Sequence, residues 1–212
     1  MTTRIGIISD IHATIAPLQE ALQIFRQQQV DLIICAGDIA GYGEDELSKT
    51  VSILKQNNCQ MIIGNHDQLS ELPAASSHEL ISFFDSLPAH LEFEYESKKI
   101  YVVHASPPEQ LHGGIKLLDK NGELIEARLK EWRKKLSGFE YDILIVGHTH
   151  QTYAQQINNT LIINPGSTAY NNSCMILNLP EMTVSSYALQ NKAIIKSWNW
   201  GLFYTEKKHS GR

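Results

Sequence analysis

DLIICAGDIAGYG, residues 31–43, drives an apolar run into a carboxylate and then into a loop of small residues. Leu32, Ile33, Ile34 and Cys35 form a short, β-rich, uninterrupted apolar stretch. That pattern fits a strand buried on both faces of a parallel sheet better than one face of a helix. Asp38 then stands just past the carboxyl end of the strand, the edge where open α/β sheets place their ligands. Alone, Asp38 also reads as a turn or helix-capping aspartate. Four other stretches decide between the two.

Upstream, the apolar run 5–8 delivers a second carboxylate in SDIH, Ser9 to His12. Leu18, Ala21, Leu22, Ile24 and Phe25 follow at helical spacing. Downstream, a helix is expected over 44–57, apolar at Leu47, Val51 and Leu54, after which 61–63 enters GNHD, Gly64 to Asp67. Successive strand–helix units of this length imply parallel strands joined by right-handed crossovers. The second half changes character. A helix is expected over 77–87, then adjacent strands over 91–95 and 100–103, the first half-exposed and the second ending at His104. Mixed charges over 121–136 predict an exposed helix, and 143–146 ends in GHTH, Gly147 to His150. Strands over 152–157, 160–163, 173–179 and 182–189 complete the pattern, with turns at Asn158-Asn159 and Pro180-Glu181. The fold class is α/β, a two-sheet β-sandwich flanked by helices, with residues 1–197 as one domain and 198–212 as a tail.

A chain of 212 residues that is 42% apolar can bury one full core. Its net charge of −5 lacks the positive field expected of a protein that binds duplex nucleic acid or anionic membranes. Cys35, Cys59 and Cys174 are far apart and form no CxxC pair, which suits a reducing compartment. With no signal or spanning segment visible, the expected location is cytoplasmic. Trp198, Trp200, Phe203 and Tyr204 are expected to pack back on the body or on a second copy of the chain, as a homo-oligomer.

Five strand ends now carry metal-capable residues: Asp10 with His12, Asp38, Asn65 with His66, His104, and His148 with His150. In DxH and HxH an extended backbone turns both side chains the same way, so each pair can address one centre. Glycines before Asp38, Asn65 and His148 permit close backbone approach. Mixed carboxylate, imidazole and carboxamide donors are too hard for a thiolate zinc site and too nitrogen-rich for calcium or structural magnesium. They suit Mn²⁺ first, with Fe, Zn²⁺, Ni²⁺ or Mg²⁺ as alternatives.

The ordered set DxH, GD, GNHD, H and GHTH resembles the calcineurin-like metallophosphoesterase superfamily, from Asp10 to about Ser167, and most closely its small single-domain prokaryotic branch. The resemblance implies a four-layer α/β/β/α fold holding two divalent metal ions. Asp10, His12, Asp38 and His150 would hold one ion, and Asp38, Asn65, His104 and His148 the other, with Asp38 bridging. A hydroxide bridging the two ions would attack a phosphodiester or phosphomonoester of a small or nucleotide-like substrate, with His66 donating a proton to the leaving oxygen. The protein-phosphatase branch carries an Asp three residues after the bridging Asp, followed by Arg. Gly41 and Tyr42 stand there instead, which speaks against a protein phosphatase and leaves the orienting of His66 to the adjacent Asp67, to a backbone carbonyl or to water. Ala13 and Thr14 follow DxH where relatives often have Gly-Asn. No Arg or Lys lies in the five motifs, which favours diesters unless Lys116, Lys120 or Arg128 supplies the charge a terminal phosphate needs. Asn164 to Ser167, NPGS, reads equally as a plain turn or as backbone amides facing an anion. The rival from another class is a non-catalytic scaffold that keeps the fold for protein binding; ligand loss would mark it, and every ligand position here is filled.

Overall fold

A computed structural model describes residues 2–41, 46–74 and 76–198. Within them, β1 (Thr3–Ile8), α1 (Ile15–Gln27), β2 (Leu32–Cys35), α2 (Leu47–Gln56) and β3 (Gln60–Met61) alternate as the apolar periodicity requires. A 3-10 turn (Asn65–Asp67), α3 (His78–Asp85), β4 (His90–Tyr95), β5 (Lys98–Val103) and α4 (Glu126–Lys135) come next. The chain then runs through β6 (Ile143–Ile145), β7 (Thr152–Ile157), β8 (Thr160–Pro165), β9 (Ser173–Leu179) and β10 (Thr183–Ala188).

One sheet has the order β10-β9-β1-β2-β3 and the other β4-β5-β6-β8-β7. β1, β2 and β3 are parallel to one another, as are β5, β6 and β8, while the outer strands pair antiparallel. Alternate residues of the central strands face opposite layers. Ile5, Ile7 and Ile34 meet Val102, Ile143, Ile145 and Ile163 between the sheets. Ile8 and Cys35 face the outer layer made by Leu18, Leu22 and Phe25 of α1 and Val51 and Leu54 of α2. On the far side, Tyr101, Leu144 and Ile162 pack under Leu129 and Trp132 of α4 and under Ile115, Leu117 and Leu118. Both faces of the central strands are therefore dry, and each side chain so buried contributes about 1.5–3 kcal/mol. The expected two-sheet sandwich with helices outside is the architecture found.

Three expected elements differ in extent. The helix expected over 121–136 starts only at Glu126, because Asp119 accepts hydrogen bonds from the backbone of Asn121 (2.8 Å) and Glu123 (2.9 Å) and curls 119–123 into a turn. The strand expected over 61–63 is Gln60–Met61; beyond it, Ile63 donates its N–H to Pro88 rather than to the sheet. The first residues of the helix expected over 44–57 lie outside the described residues, and α2 is helical from Leu47. The helix expected over 77–87 holds at its start, where Ser77 Oγ caps Leu80 N at 3.2 Å.

Candidate metal centre

The carboxyl ends of β1, β2, β3, β5 and β6 converge on one rim. Backbone bonds lace the loops leaving them: Asp10 N to Gly37 O at 3.0 Å, His12 N to Asp38 O at 3.1 Å, and Gly147 N to His104 O at 2.8 Å. The carboxylates add to the lacing. Asp38 Oδ1 accepts from His66 N at 2.9 Å, and Asp10 accepts from His148 N at 3.0 and 3.1 Å. This crowding leaves no space for a Cβ at two glycines. One at Gly64 would lie 2.1 Å from Asp38 N, and one at Gly147 1.9 Å from Ser9 Oγ.

The same turns force Asp10 (φ 52), His12 (φ 49), Asp38 (φ 53), His148 (φ 64) and His150 (φ 49) into the left-handed region. Asp and His tolerate it better than most residues, yet each such position costs about 1 kcal/mol or more. Strain repeated at five residues of one rim marks a site whose geometry the surrounding structure imposes.

The donors fall into overlapping groups. His150 Nε2 lies 3.1 Å from His12 Nε2 and 3.2 Å from Asp10 Oδ1. Across the rim, His104 Nε2 lies 3.3 Å from Asp38 Oδ1 and 3.2 Å from Asn65 Oδ1, which is itself 2.8 Å from His148 Nδ1. Three trios, Asp10–His12–His150, His12–Asp38–His66 and Asp38–His104–His148, each bring their donor atoms within 4.8 Å of one another. Asp38 belongs to two of them. All seven expected ligand residues are thus brought together, and His66 stands between the halves with its ring 5.3 Å from that of His12.

Electrostatics at the rim ask for positive charge. Burial alone would raise the carboxyls of Asp10 and Asp38, but the imidazoles of His150 and His104 respectively outweigh it and hold both below the usual range. Burial pushes His12 and His148 down to about 4, so both are neutral at pH 7 with lone pairs available. Burial would lower His104 as well, but the charge of Asp38 lifts it to about 9. Its Nδ1 donates to Ala36 O at 2.8 Å, which turns Nε2 to the centre, the usual arrangement behind a metal-ligating histidine. Converging lone pairs beside two buried carboxylates fit divalent cations.

Asp67 is fully buried, and its oxygens accept from Ala40 N (2.7 Å) and Gly64 N (2.8 Å). It ties the loop after β2 to the loop after β3. Burial and the charge of Asp38 raise its carboxyl to about 7. NPGS also serves as a brace: Ser167 Oγ donates to Asp10 O at 2.6 Å, and Ser167 N is taken by Asn171 Oδ1 at 2.8 Å. Gly166 N is taken by Asn164 Oδ1 at 2.9 Å, so these two amides are not offered to an anion.

Sequence reasoning missed Gln151. Its buried carboxamide accepts from Leu117 N (2.8 Å) and Leu118 N (3.0 Å) and donates to Leu118 O (2.8 Å), fixing the 115–118 segment beside GHTH. Nothing in a lone Gln after an HxH pair signals that. Tyr170 carries no charge that would single it out in the sequence, yet its ring stacks on His150 at 5.4 Å and on Trp198 at 5.5 Å. Trp198, first residue of the expected tail, donates its backbone N–H to His150 O at 3.0 Å; the other tail aromatics lie outside the described residues. His112 reaches the rim, its ring 6.1 Å from His148, while His78 is exposed and His90 pairs with Glu92 and Glu109.

Carboxylate, imidazole and carboxamide donors gathered at the parallel-strand ends of a two-sheet sandwich define a metal-dependent hydrolase. The chain belongs to the calcineurin-like phosphoesterase superfamily, whose domain matches residues 3–180, and is a metal-dependent phosphoric ester hydrolase. It is 26% identical over 181 residues to an uncharacterized protein of Methanocaldococcus jannaschii, MJ0912, covering 76% of this chain and 68% of that one. It is also 26% identical over 170 residues to phosphodiesterase MJ0936 of the same organism, covering 77% and 82%. In fold it is similar to hypothetical protein PH1004 from Pyrococcus horikoshii OT3, with a TM-score of 0.69, 16% identity, and 98% and 93% of the two chains covered.

Proposed function

We propose that this protein hydrolyses small or nucleotide-like phosphate esters at a centre of two divalent cations, Mn²⁺ foremost, bridged by Asp38. The observation that carries this reading is the double membership of Asp38, whose carboxylate lies within 4.8 Å of a donor atom of His12 on one side and of His104 and His148 on the other. Asp10, His12, Asp38 and His150 would hold one cation, and Asp38, Asn65, His104 and His148 the second. When bound, such a pair supplies Lewis-acid polarisation of a phosphoryl group and acidification of water.

The chain's own residues do the rest. His66 sits on the 3-10 turn, half-buried at the mouth, where a proton on its ring can pass to the departing oxygen. Its backbone N–H on Asp38 fixes that ring relative to the centre. A scaffold that only bound protein partners would have no use for seven converging donors on strained backbone, so the enzymatic reading is preferred. The similarity to phosphodiesterase MJ0936 supports diesters among the substrates. Three free, buried cysteines support a reducing, cytoplasmic setting, and among the described residues no helix is long and apolar enough to cross a membrane.

The test is reconstitution of metal-stripped protein with Mn²⁺, elemental analysis, and hydrolysis of bis-p-nitrophenyl phosphate and p-nitrophenyl phosphate. About two ions per chain are expected, and Asp38→Asn, which removes a charge and cannot bridge in the same way, should lose both along with turnover. An Asp38→Asn protein that keeps two ions and normal turnover refutes the assignment.

A further inference from the structure

The five metal loops carry no basic residue, yet the cavity that opens above them does. It measures ≈ 540 Å³, and Lys116, Lys120 and Arg128 line it together with His12, Asp38 and His148. That is far more room than one phosphate needs and lies within the range of pockets for whole small ligands, roughly 300–1,000 Å³. The three cations come from the stretch between β5 and α4 and from the start of α4, outside every motif.

Their placement is built. Gln151 holds Leu117 and Leu118 through three backbone hydrogen bonds, and Tyr153 Oη donates to Ile115 O at 2.7 Å. Gly114 presses so close to GHTH that a Cβ there would sit 2.6 Å from Thr149 Cγ2 and 3.1 Å from His148 Cδ2. Arg128 Nη1 donates to Lys116 O (3.4 Å) and Leu118 O (3.2 Å), clamping the segment from the α4 side.

The charge on this wall is net positive, three cations against one carboxylate. Among the described residues neither Lys116 nor Lys120 makes an ion pair, although both are exposed. The one carboxylate on the same wall, Asp119, accepts from the backbone of Asn121 and Glu123 through Oδ1 and from the Asn121 side chain through Oδ2, and makes no ion pair with either lysine. In a chain of net charge −5, a fixed cluster of cations facing the catalytic rim is a site for an anion. Trp198 lines the same cavity, its ring stacked on Tyr170.

Resting on the phosphoesterase reading above, we infer that Lys116, Lys120 and Arg128 form a second phosphate subsite, and that the substrate is a nucleotide bearing a phosphate in addition to the one hydrolysed. The metal centre takes the scissile group while the basic wall takes the other. Two phosphates held at once select against esters that carry only one.

The test compares 5′-AMP with adenosine 3′,5′-bisphosphate as inhibitors of bis-p-nitrophenyl phosphate hydrolysis by the Mn²⁺-loaded full chain. The bisphosphate should bind roughly tenfold or more tightly, the size of effect two partly exposed cations supply, and added salt should shrink the gap. The exposed pair Lys116→Gln with Lys120→Gln should bring the ratio to within about threefold, and Lys116→Glu with Lys120→Glu should invert it. Arg128 is retained because it holds the segment in place. Equal inhibition by the two nucleotides in the wild type, or a glutamate pair that keeps the wild-type ratio, overturns the subsite. Calorimetric titration of the same nucleotides reads the ratio without turnover. Loss of all hydrolysis with two ions bound would therefore sink the phosphoesterase reading, while the calorimetric ratio still decides the subsite.

Discussion

Gly64→Ala isolates the packing on which the centre depends. Gly64 has φ −105 and ψ 179, an extended conformation that alanine adopts freely, so the substitution adds a methyl without backbone strain. That methyl would lie 2.1 Å from Asp38 N and 2.2 Å from Asp38 Oδ1, against about 3.5 Å for ordinary contact. The loops after β2 and β3 must then separate by about 1 Å, and neither neighbour is the free end of a flexible side chain. Asp38 Oδ1 also accepts from His66 N and faces His104 Nε2, so the shift moves this carboxylate away from both. Overpacking of this kind costs about 1–3 kcal/mol, or roughly 2–12 °C in Tm for a chain of this size. Metal sites tolerate only about 0.2 Å in ligand position, so the affinity for Mn²⁺ should fall by roughly 100-fold or more. Thermal unfolding of the metal-free protein measures the first effect and calorimetric titration with Mn²⁺ the second. An alanine variant that melts within a degree of wild type and binds Mn²⁺ normally would show that the two loops do not abut as described.

His66→Ala should leave metal content nearly intact and lower kcat by roughly 10²–10⁴, less for good leaving groups than for alkyl or ribose oxygens; equal losses for both would give His66 another task. Asp67→Asn puts an NH₂ against one of the two amides its carboxylate now accepts, at a cost of about 1–3 kcal/mol, so Tm should fall while kcat falls less than for His66→Ala. Unchanged Tm with a His66-like loss of kcat would return Asp67 to orienting His66. Metal-free protein should lose stability as pH rises from 6.5 through about 9, because the raised pKa of His104 gives stability complete below 6.5 and absent above 9. The loss is about 3 kcal/mol, and a Tm that stays flat across that window in stripped protein contradicts the pairing with Asp38.

The sheets were legible because the central strands are apolar on both faces, a pattern that a surface helix does not produce. Ile5 to Ile8 and Leu32 to Cys35 announce themselves, and the residues after each run had to form a loop at the ligand edge. The clustering of the candidate ligands was legible because polar residues at strand ends have few structural reasons to recur in an ordered set. The features that stayed hidden depend on partners distant in sequence. Ser167 looks like any turn serine until its hydroxyl is seen on Asp10 O, 157 residues away. Gln151 acquires its role only when the 115–118 segment folds over it. The turn at 119–123 was hidden in a charge-rich composition that suits a helix equally well, and the decision rested on one carboxylate, Asp119.

The strain and the charge at the rim have a common consequence. The left-handed residues are held by bonds between loops, such as His12 N to Asp38 O and Ser167 Oγ to Asp10 O. The donors are therefore preorganised, and arranging them costs an entering cation little. Imidazoles help to hold the buried carboxyls below the usual range, His150 beside Asp10 and, beside Asp38, His104 with its proton. A divalent cation displaces that proton and answers the same demand more fully, so its binding couples to proton release and to stability. Two carboxylates would balance only part of the charge of the proposed pair of cations, so the loaded centre would still attract an anionic ester. Lys116, Lys120 and Arg128 line the cavity from outside the loops that carry Asp10 and Asp38, where they would not compete with the proposed cations for those carboxylates.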